Sequence, residues 1–339
     1  MTTKAITFTA PYRAEFRETE LPELQQDEVS VQLAVSTISS GTERANYVGD
    51  PNVNGASTVA PPFPRRSGYS SAGVVTAVGK SVQKVKVGDR VALSWSTHSA
   101  CCIMKEQNVH PIISEAISFE EAALLHISTF PAAAVRKCRL EFGESALVMG
   151  QGVLGMIAVK LLRAAGAVPL IAVDPVSEKR EQALAIGADY ALGPFASDFA
   201  DTVKKLTGGG VNVAIEVTGN GPALDSVLDC MARFGRVALL GCTRDKNFTV
   251  DYYRKIHFPG ITLVGAHTLA RPAEESSGGW WTTADDVLAV QKLLAGRRIT
   301  LADLIGETHS PAEAPQLYER LAAERSFPLV QFDWRMLHE

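Results

Sequence analysis

Over the first 130 or so positions, apolar and polar residues alternate in short runs punctuated by Gly and Pro. The clearest are residues 28–35 (EVSVQLAV), 73–78 (GVVTAV) and 88–93 (GDRVAL). Successive side chains of a strand point to opposite faces, so a period of two predicts a small β-rich domain of short strands. Between residues 49 and 71 the periodicity lapses into a stretch rich in Pro, Gly, Asn and Ser. A loop of that length inside a compact domain is expected to be a lid or a binding loop.

The texture changes near Pro131. Buried strands are predicted at residues 145–149 and 168–173, with a helix of one apolar face between them at 153–165. Ser177 is placed to cap a helix running to Ile186, with Gly187 as its stop. Three further β-branched or leucine-rich runs follow at 211–217, 236–240 and 261–264, with a helix expected at 222–233. Strands alternating with helices at this spacing predict a parallel sheet covered on both faces. Beyond residue 270 the pattern becomes a loop, a helix at 283–295 and a last strand at 327–332. The expected organisation is therefore a β-rich domain over 1–130, a doubly wound α/β domain over 131–270, and a segment over 271–339 whose last strand returns to the first domain.

One junction carries chemistry. The strand Leu147-Val148-Met149 runs into Gly150-Gln151-Gly152-Val153-Leu154-Gly155, and a helix follows at once. The first glycine permits a tight turn, the second lets backbone approach a pyrophosphate, and the third lets helix and strand pack closely. The helix start offers free N–H groups to phosphate. The next strand ends at Asp174, 19 residues beyond Gly155. A carboxylate there is expected to chelate the adenosine ribose hydroxyls and repel a 2′-phosphate, selecting NAD over NADP.

Composition narrows the field without adding to it. The 339 residues carry a net charge of −4 without long blocks of like charge, so neither a nucleic-acid nor an anionic-membrane footprint is visible. The most apolar stretch, residues 148–173, is broken by Lys160 and Arg163, which argues against a membrane span. The opening residues lack the apolar core of a signal peptide. Five cysteines (Cys101, Cys102, Cys138, Cys230, Cys242) have no framework spacing and are expected to be reduced thiols of a cytoplasmic enzyme.

The whole chain resembles the medium-chain dehydrogenase/reductase superfamily. The residues that carry the resemblance are Gly68-Tyr69-Ser70-Ser71-Ala72-Gly73 with Val78-Gly79, Val87-Gly88-Asp89-Arg90-Val91, the Gly150 to Gly155 fingerprint with Asp174, Gly187-Ala188-Asp189, Glu216-Val217-Thr218-Gly219 and the run from Gly235 to Gly241. Ser40-Gly41-Thr42-Glu43, Val173-Asp174-Pro175 and His257-Phe258 are most similar to a narrower branch of bacteriochlorophyllide hydroxyethyl dehydrogenases and bacterial glycoside dehydrogenases. The resemblance implies a GroES-like catalytic domain followed by a Rossmann domain. It also implies oxidation of a secondary hydroxyl on a sugar, glycoside or cyclitol with NAD as hydride acceptor. Two alternatives stay open: a quinone or enone reductase, and a protein that binds NAD without catalysis.

The departures from the family matter equally. Zinc-dependent members carry Cys where this chain has Ser40 and His-Glu where it has Tyr69-Ser70, and Cys101-Cys102 cannot make a four-thiolate site. A zinc-free enzyme is expected. The resemblance places Thr42 at the proton-relay hydroxyl, Glu43, after Ser-Gly-Thr in a turn facing the cleft, at a carboxylate that in zinc-dependent members lies just behind the metal ligands, and Tyr69 and His126 near the nicotinamide. His126 is then the candidate general base, with Glu43, Tyr69 and Thr42 as alternatives or relays. Lys179 and Thr218 join the cofactor set, and the resemblance implies that backbone at Leu240, Val264 and Ala266 holds the carboxamide. His267, Trp280 and Ser40 are candidate substrate contacts, with Arg271 and Trp281 in the same rim. His98 is expected to be structural. The apolar edge strand over 261–267 implies a homodimer, or a homotetramer built from it.

Overall fold

The computed structural model describes residues 1–51, 59, 62–243, 247–324 and 326–337. Of the irregular loop expected at 49–71, positions 52–58, 60 and 61 lie outside the described residues. The chain forms two units, one of Met1–Ile127 with Val287–Glu339 and one of Ser128–Asp286.

The first unit opens with an antiparallel hairpin, β1 (Thr2–Ala10) and β2 (Arg13–Glu20). β3 (Glu28–Thr37) leads into helix α1 (Ser40–Val48). The two-residue strand β4 (Arg65–Arg66) pairs back on β1. Then come β5 (Ser70–Val78), β6 (Arg90–Ser94), β7 (Cys101–Lys105), β8 (Val109–Pro111) and the short helix α2 (Phe119–Ala122). Val29, Val31 and Leu33 of β3 face the core while Ser30 and Gln32 are half-buried, the alternation expected of a sheet with one covered face. Within helix α3 (Leu125–Lys137) the chain passes into the second unit.

There β9 (Ala146–Met149), α4 (Val153–Ala164), β10 (Leu170–Val173), α5 (Ser177–Ala185), β11 (Tyr190–Leu192), α6 (Phe199–Thr207), β12 (Val211–Glu216), α7 (Gly221–Asp229), β13 (Met231–Leu239) and β14 (Thr262–Gly265) build a parallel sheet of order β11-β10-β9-β12-β13-β14. Its strand order reverses between β10-β9 and β9-β12, the switch point at which open α/β sheets bind ligands. Two local expectations need correction. Ser177 does not cap α5: the extended residue before the helix is Val176, and the Ser177 hydroxyl donates to Glu178. Helix α7 stops at Asp229 because Met231 already pairs with Val211, so β13 starts five residues before the strand read from the apolar run.

Helix α8 (Thr283–Ala295) leads back to the first unit, where β15 (Glu307–His309), α9 (Ala314–Ala323) and β16 (Val330–Asp333) follow. β16 pairs antiparallel with β3 and parallel with β15. Residues 271–286, expected with this return, belong instead to the second unit. The Arg271 guanidinium donates to the Thr129 carbonyl (3.1 Å), and Asp286 receives Arg136 (2.9 Å). Among the described residues no helix is long and apolar enough to cross a membrane.

Candidate active site

In the second unit the glycine turn has the three properties a dinucleotide cradle requires. Gly150 sits at φ +99°, a region side chains avoid. A Cβ on Gly155 would come within 1.9 Å of the Gly150 carbonyl, so only glycine lets α4 start this close to β9. A Cβ on Gly152 would meet nothing within 4 Å, which leaves its backbone open to an approaching group. Gly152 also precedes α4 without a side-chain cap, so the first N–H groups of a 12-residue helix, starting at Val153 and Leu154, remain available for phosphate.

Asp174 follows β10 and is 7% exposed. Its carboxylate accepts the Gln151 N–H (2.8 Å) and the Val176 N–H (2.9 Å), which locks the acid to the glycine turn. A carboxylate has about four acceptor positions, so two remain for ribose hydroxyls. Lys179 reaches the Gln151 carbonyl at 3.4 Å; burial lowers its pKa against the opposing pull of Asp174. The residues present thus fit a nicotinamide dinucleotide.

At the other strand ends, Thr218 donates through N–H and hydroxyl to the buried Glu216 carboxylate, whose pKa burial raises. The Leu240 N–H donates to the Glu216 carbonyl (2.9 Å), and the Ala266 N–H to the Leu239 carbonyl (3.1 Å). Val264 lies in β14, paired with Ala238. His267 is exposed, its Nδ1 accepting the Leu269 N–H (3.2 Å). Trp280 is 43% exposed, whereas its neighbour Trp281 stacks under Arg136, 3.4 Å from guanidinium carbon to ring centre. Arg271, expected on the substrate rim, is internal: its side chain is 6% exposed and bound to Asp286 and the Thr129 carbonyl.

In the first unit Ser40-Gly41-Thr42-Glu43 forms the first turn of α1 rather than an open turn. Glu43 therefore points inward and is 2% exposed. One carboxylate oxygen accepts the Ser39 N–H (2.8 Å); the other accepts His98 Nε2–H (3.0 Å) and the Tyr318 hydroxyl. The Ser36 hydroxyl contacts His98 Nδ1 (2.7 Å) and accepts Trp334 Nε1–H (2.8 Å). Burial and the adjacent Glu43 push the Tyr318 phenol well above its ordinary pKa, which keeps it a donor. Thr42 is exposed and Ser40 half-buried, with the Thr42 carbonyl accepting Asn46 Nδ2.

Tyr69 and His126 do come together. Their rings lie 5.8 Å apart, edge to face, and Trp95 completes a trio at 4.7 Å from His126 and 6.1 Å from Tyr69. The Tyr69 hydroxyl donates to Ser39 Oγ. Trp95 was not anticipated; its backbone sits at φ +62° with the side chain 42% exposed, and nothing in its sequence context marks that conformation. The zinc-ligand positions do not fit zinc. Ser70 donates to the Ala123 carbonyl (2.7 Å), Tyr69 is bonded to Ser39, and no group of three His, Cys, Asp or Glu suited to a metal occurs among the described residues.

A glycine cradle at the switch point of a parallel sheet, in one chain with a β-rich unit that pairs a tyrosine with a histidine, defines a nicotinamide-nucleotide oxidoreductase. Residues 25–135 match the family described as alcohol dehydrogenase GroES-like domain, and residues 153–278 match zinc-binding dehydrogenase. L-threonine 3-dehydrogenase of Pyrococcus horikoshii is 29% identical over 292 residues, 77% of this chain and 82% of that one. D-guloside 3-dehydrogenase of Escherichia coli K12 is 25% identical over 334 residues, 93% and 95% of the two chains. The solved alcohol dehydrogenase of E. coli CFT073 complexed with NADH superposes with a TM-score of 0.82 at 18% identity, covering 98% and 99%. The chain belongs to the medium-chain dehydrogenase/reductase superfamily.

Proposed function

We propose that this protein is an NAD-dependent, zinc-independent dehydrogenase that oxidises a secondary hydroxyl of a sugar, glycoside or cyclitol, or reduces the matching ketone. The observation that carries the reading is Asp174, held against the glycine turn with acceptor positions to spare where a 2′-phosphate would meet negative charge. When bound, the nicotinamide supplies the hydride acceptor; proton handling falls to the chain. His126 is the proposed base, with Tyr69 beside it and bonded to Ser39. Glu43, bound by three donors, is proposed to hold this turn rather than take a proton, and Thr42 remains a surface relay. The sugar class is supported by similarity to D-guloside 3-dehydrogenase over most of the chain. Trp280 and His267 of the second unit and Ser40 of the first are each proposed to contact substrate, and the half-exposed Trp95 of the first unit offers an apolar face for a sugar ring. Five free cysteines suit a cytoplasmic location, and the open β14 edge suits a homodimer or a homotetramer.

The test is a fluorescence titration of NADH and NADPH, followed by a reduction assay across glycosides, cyclitols and aliphatic alcohols with protein checked by elemental analysis. Tighter NADH binding, narrowed about tenfold in Asp174→Ser, and turnover on a glycoside or cyclitol with well under one zinc per chain are expected. Equal or tighter NADPH binding, or zinc lost together with activity, would overturn the reading.

A further inference from the structure

Lys137 ends α3, yet it is only 8% exposed, unusual for a residue whose flexible stem normally carries its charge to water. Its ammonium turns inward. Nζ donates to the Gly265 carbonyl (3.0 Å) and to the Ala270 carbonyl (2.5 Å), and lies 4.6 Å from the ring centre of Trp280. Burial lowers its pKa, with Arg271 adding to the effect. A desolvated cation is tolerated only where its partners are well placed; here they are two carbonyls five residues apart and an aromatic face. Gly265 is the last residue of β14. The next N–H, Ala266, is taken by Leu239. Both sides of the Gly265–Ala266 junction are thereby fixed, and the chain is drawn back on itself over 265–270.

Resting on the NAD reading above, in which backbone at Val264 and Ala266 meets the carboxamide, we propose that Lys137 is a positioning residue for the nicotinamide half of the cofactor. It acts through the loop it ties down and through Trp280, not by touching the reacting atoms. The adenosine half, held by the glycine turn and Asp174, is independent of it.

That division supplies the test. ADP-ribose carries the adenosine, pyrophosphate and second ribose of the cofactor but lacks nicotinamide. Binding of NADH and of ADP-ribose is measured calorimetrically on the full chain for wild type, Lys137→Met, Lys137→Gln and Lys137→Arg, with thermal unfolding alongside. Lys137→Met is expected to weaken NADH by about tenfold, the scale of losing a charge-assisted contact pair, while ADP-ribose stays within about twofold. Lys137→Arg, which keeps the charge and the donors, recovers most of the loss. If Lys137→Met does not fold, the NADH to ADP-ribose affinity ratio of Lys137→Gln decides in its place. NADH affinity unchanged in a folded variant, or both ligands weakened equally, overturns the assignment. Wild type that binds ADP-ribose but neither NADH nor NADPH would instead sink the cofactor reading beneath it.

Discussion

Glu43→Gln separates two roles that its position in Ser40-Gly41-Thr42-Glu43 leaves confounded. The substitution keeps shape and packing but removes one acceptor oxygen and introduces an N–H₂. In its best orientation the amide oxygen faces His98 and Tyr318, leaving the new donor against the Ser39 N–H. One buried donor then loses its partner, at about 1–3 kcal/mol, and two bonds to a charged acceptor become bonds to a neutral one, at about 1 kcal/mol each. The expected loss is about 3–5 kcal/mol. For a unit of roughly 180 residues, in which 1 kcal/mol moves Tm by about 2–4 °C, this is a fall of about 6–20 °C. Urea unfolding followed by circular dichroism measures the loss, and turnover at saturating substrate is measured where the variant is still folded. There kcat should stay within about threefold of wild type. His126→Ala should show the opposite pattern, with turnover down about 10²- to 10⁴-fold and NAD binding retained. A Glu43→Gln variant as stable as wild type but with turnover down by 10² or more would refute the structural role and make Glu43 the base.

His110 is buried with Nε2 2.9 Å from Ser94 Oγ, and burial, aided by Lys84, pushes its pKa down to about 4. The unfolded chain takes that proton near pH 6.5, so stability should be flat above 6.5 and fall by about 3 kcal/mol as pH drops to 4; denaturant midpoints across that range should lose this slope in His110→Asn, and an unchanged slope would exclude His110 as its source. The β14 edge, with Leu263 exposed on the strand and Leu269 exposed just beyond it, predicts a dimer of about 73 kDa by light scattering, against 36.3 kDa for one chain.

The parallel unit was legible because its signals are local and redundant. Period, glycine turn and terminal acid agree with one another over 30 residues, and β9, α4 and β10 fall within two residues of the expected bounds. β13 was read short because Gly235 interrupts its apolar run, while in the sheet the strand passes through it with a shift in register. The helices of the first unit include some that were not anticipated, α1 and α9 among them. Helix α1 begins Ser-Gly-Thr and has no apolar stripe long enough to announce nine helical residues. Helix α9 does carry a stripe, burying Ala314, Leu317, Tyr318 and Leu321 at helical spacing, a pattern present in the chain.

The sites divide along the same line between short and long range. Asp174 was readable because its partners, Gln151 and Val176, lie within 23 residues of it and inside the same strand–turn–helix–strand pattern. Glu43 was not, because what makes it structural lies 55 residues away in His98 and 275 away in Tyr318, and nothing in Ser-Gly-Thr-Glu says whether the acid faces ligand or core. The tryptophan pair shows how one physical rule resolves such a case once a partner is known. Adjacent residues at the loop's end project different ways, and adjacent residues on a helix lie about 100° apart. Trp280 therefore meets Lys137 and Trp281 meets Arg136, two consecutive cations of α3. Trp280 is the more open of the two, 43% exposed, while Trp281 is half-buried. A substrate role is thus open to Trp280, while Trp281 is committed to holding residues 271–286 on the Rossmann unit.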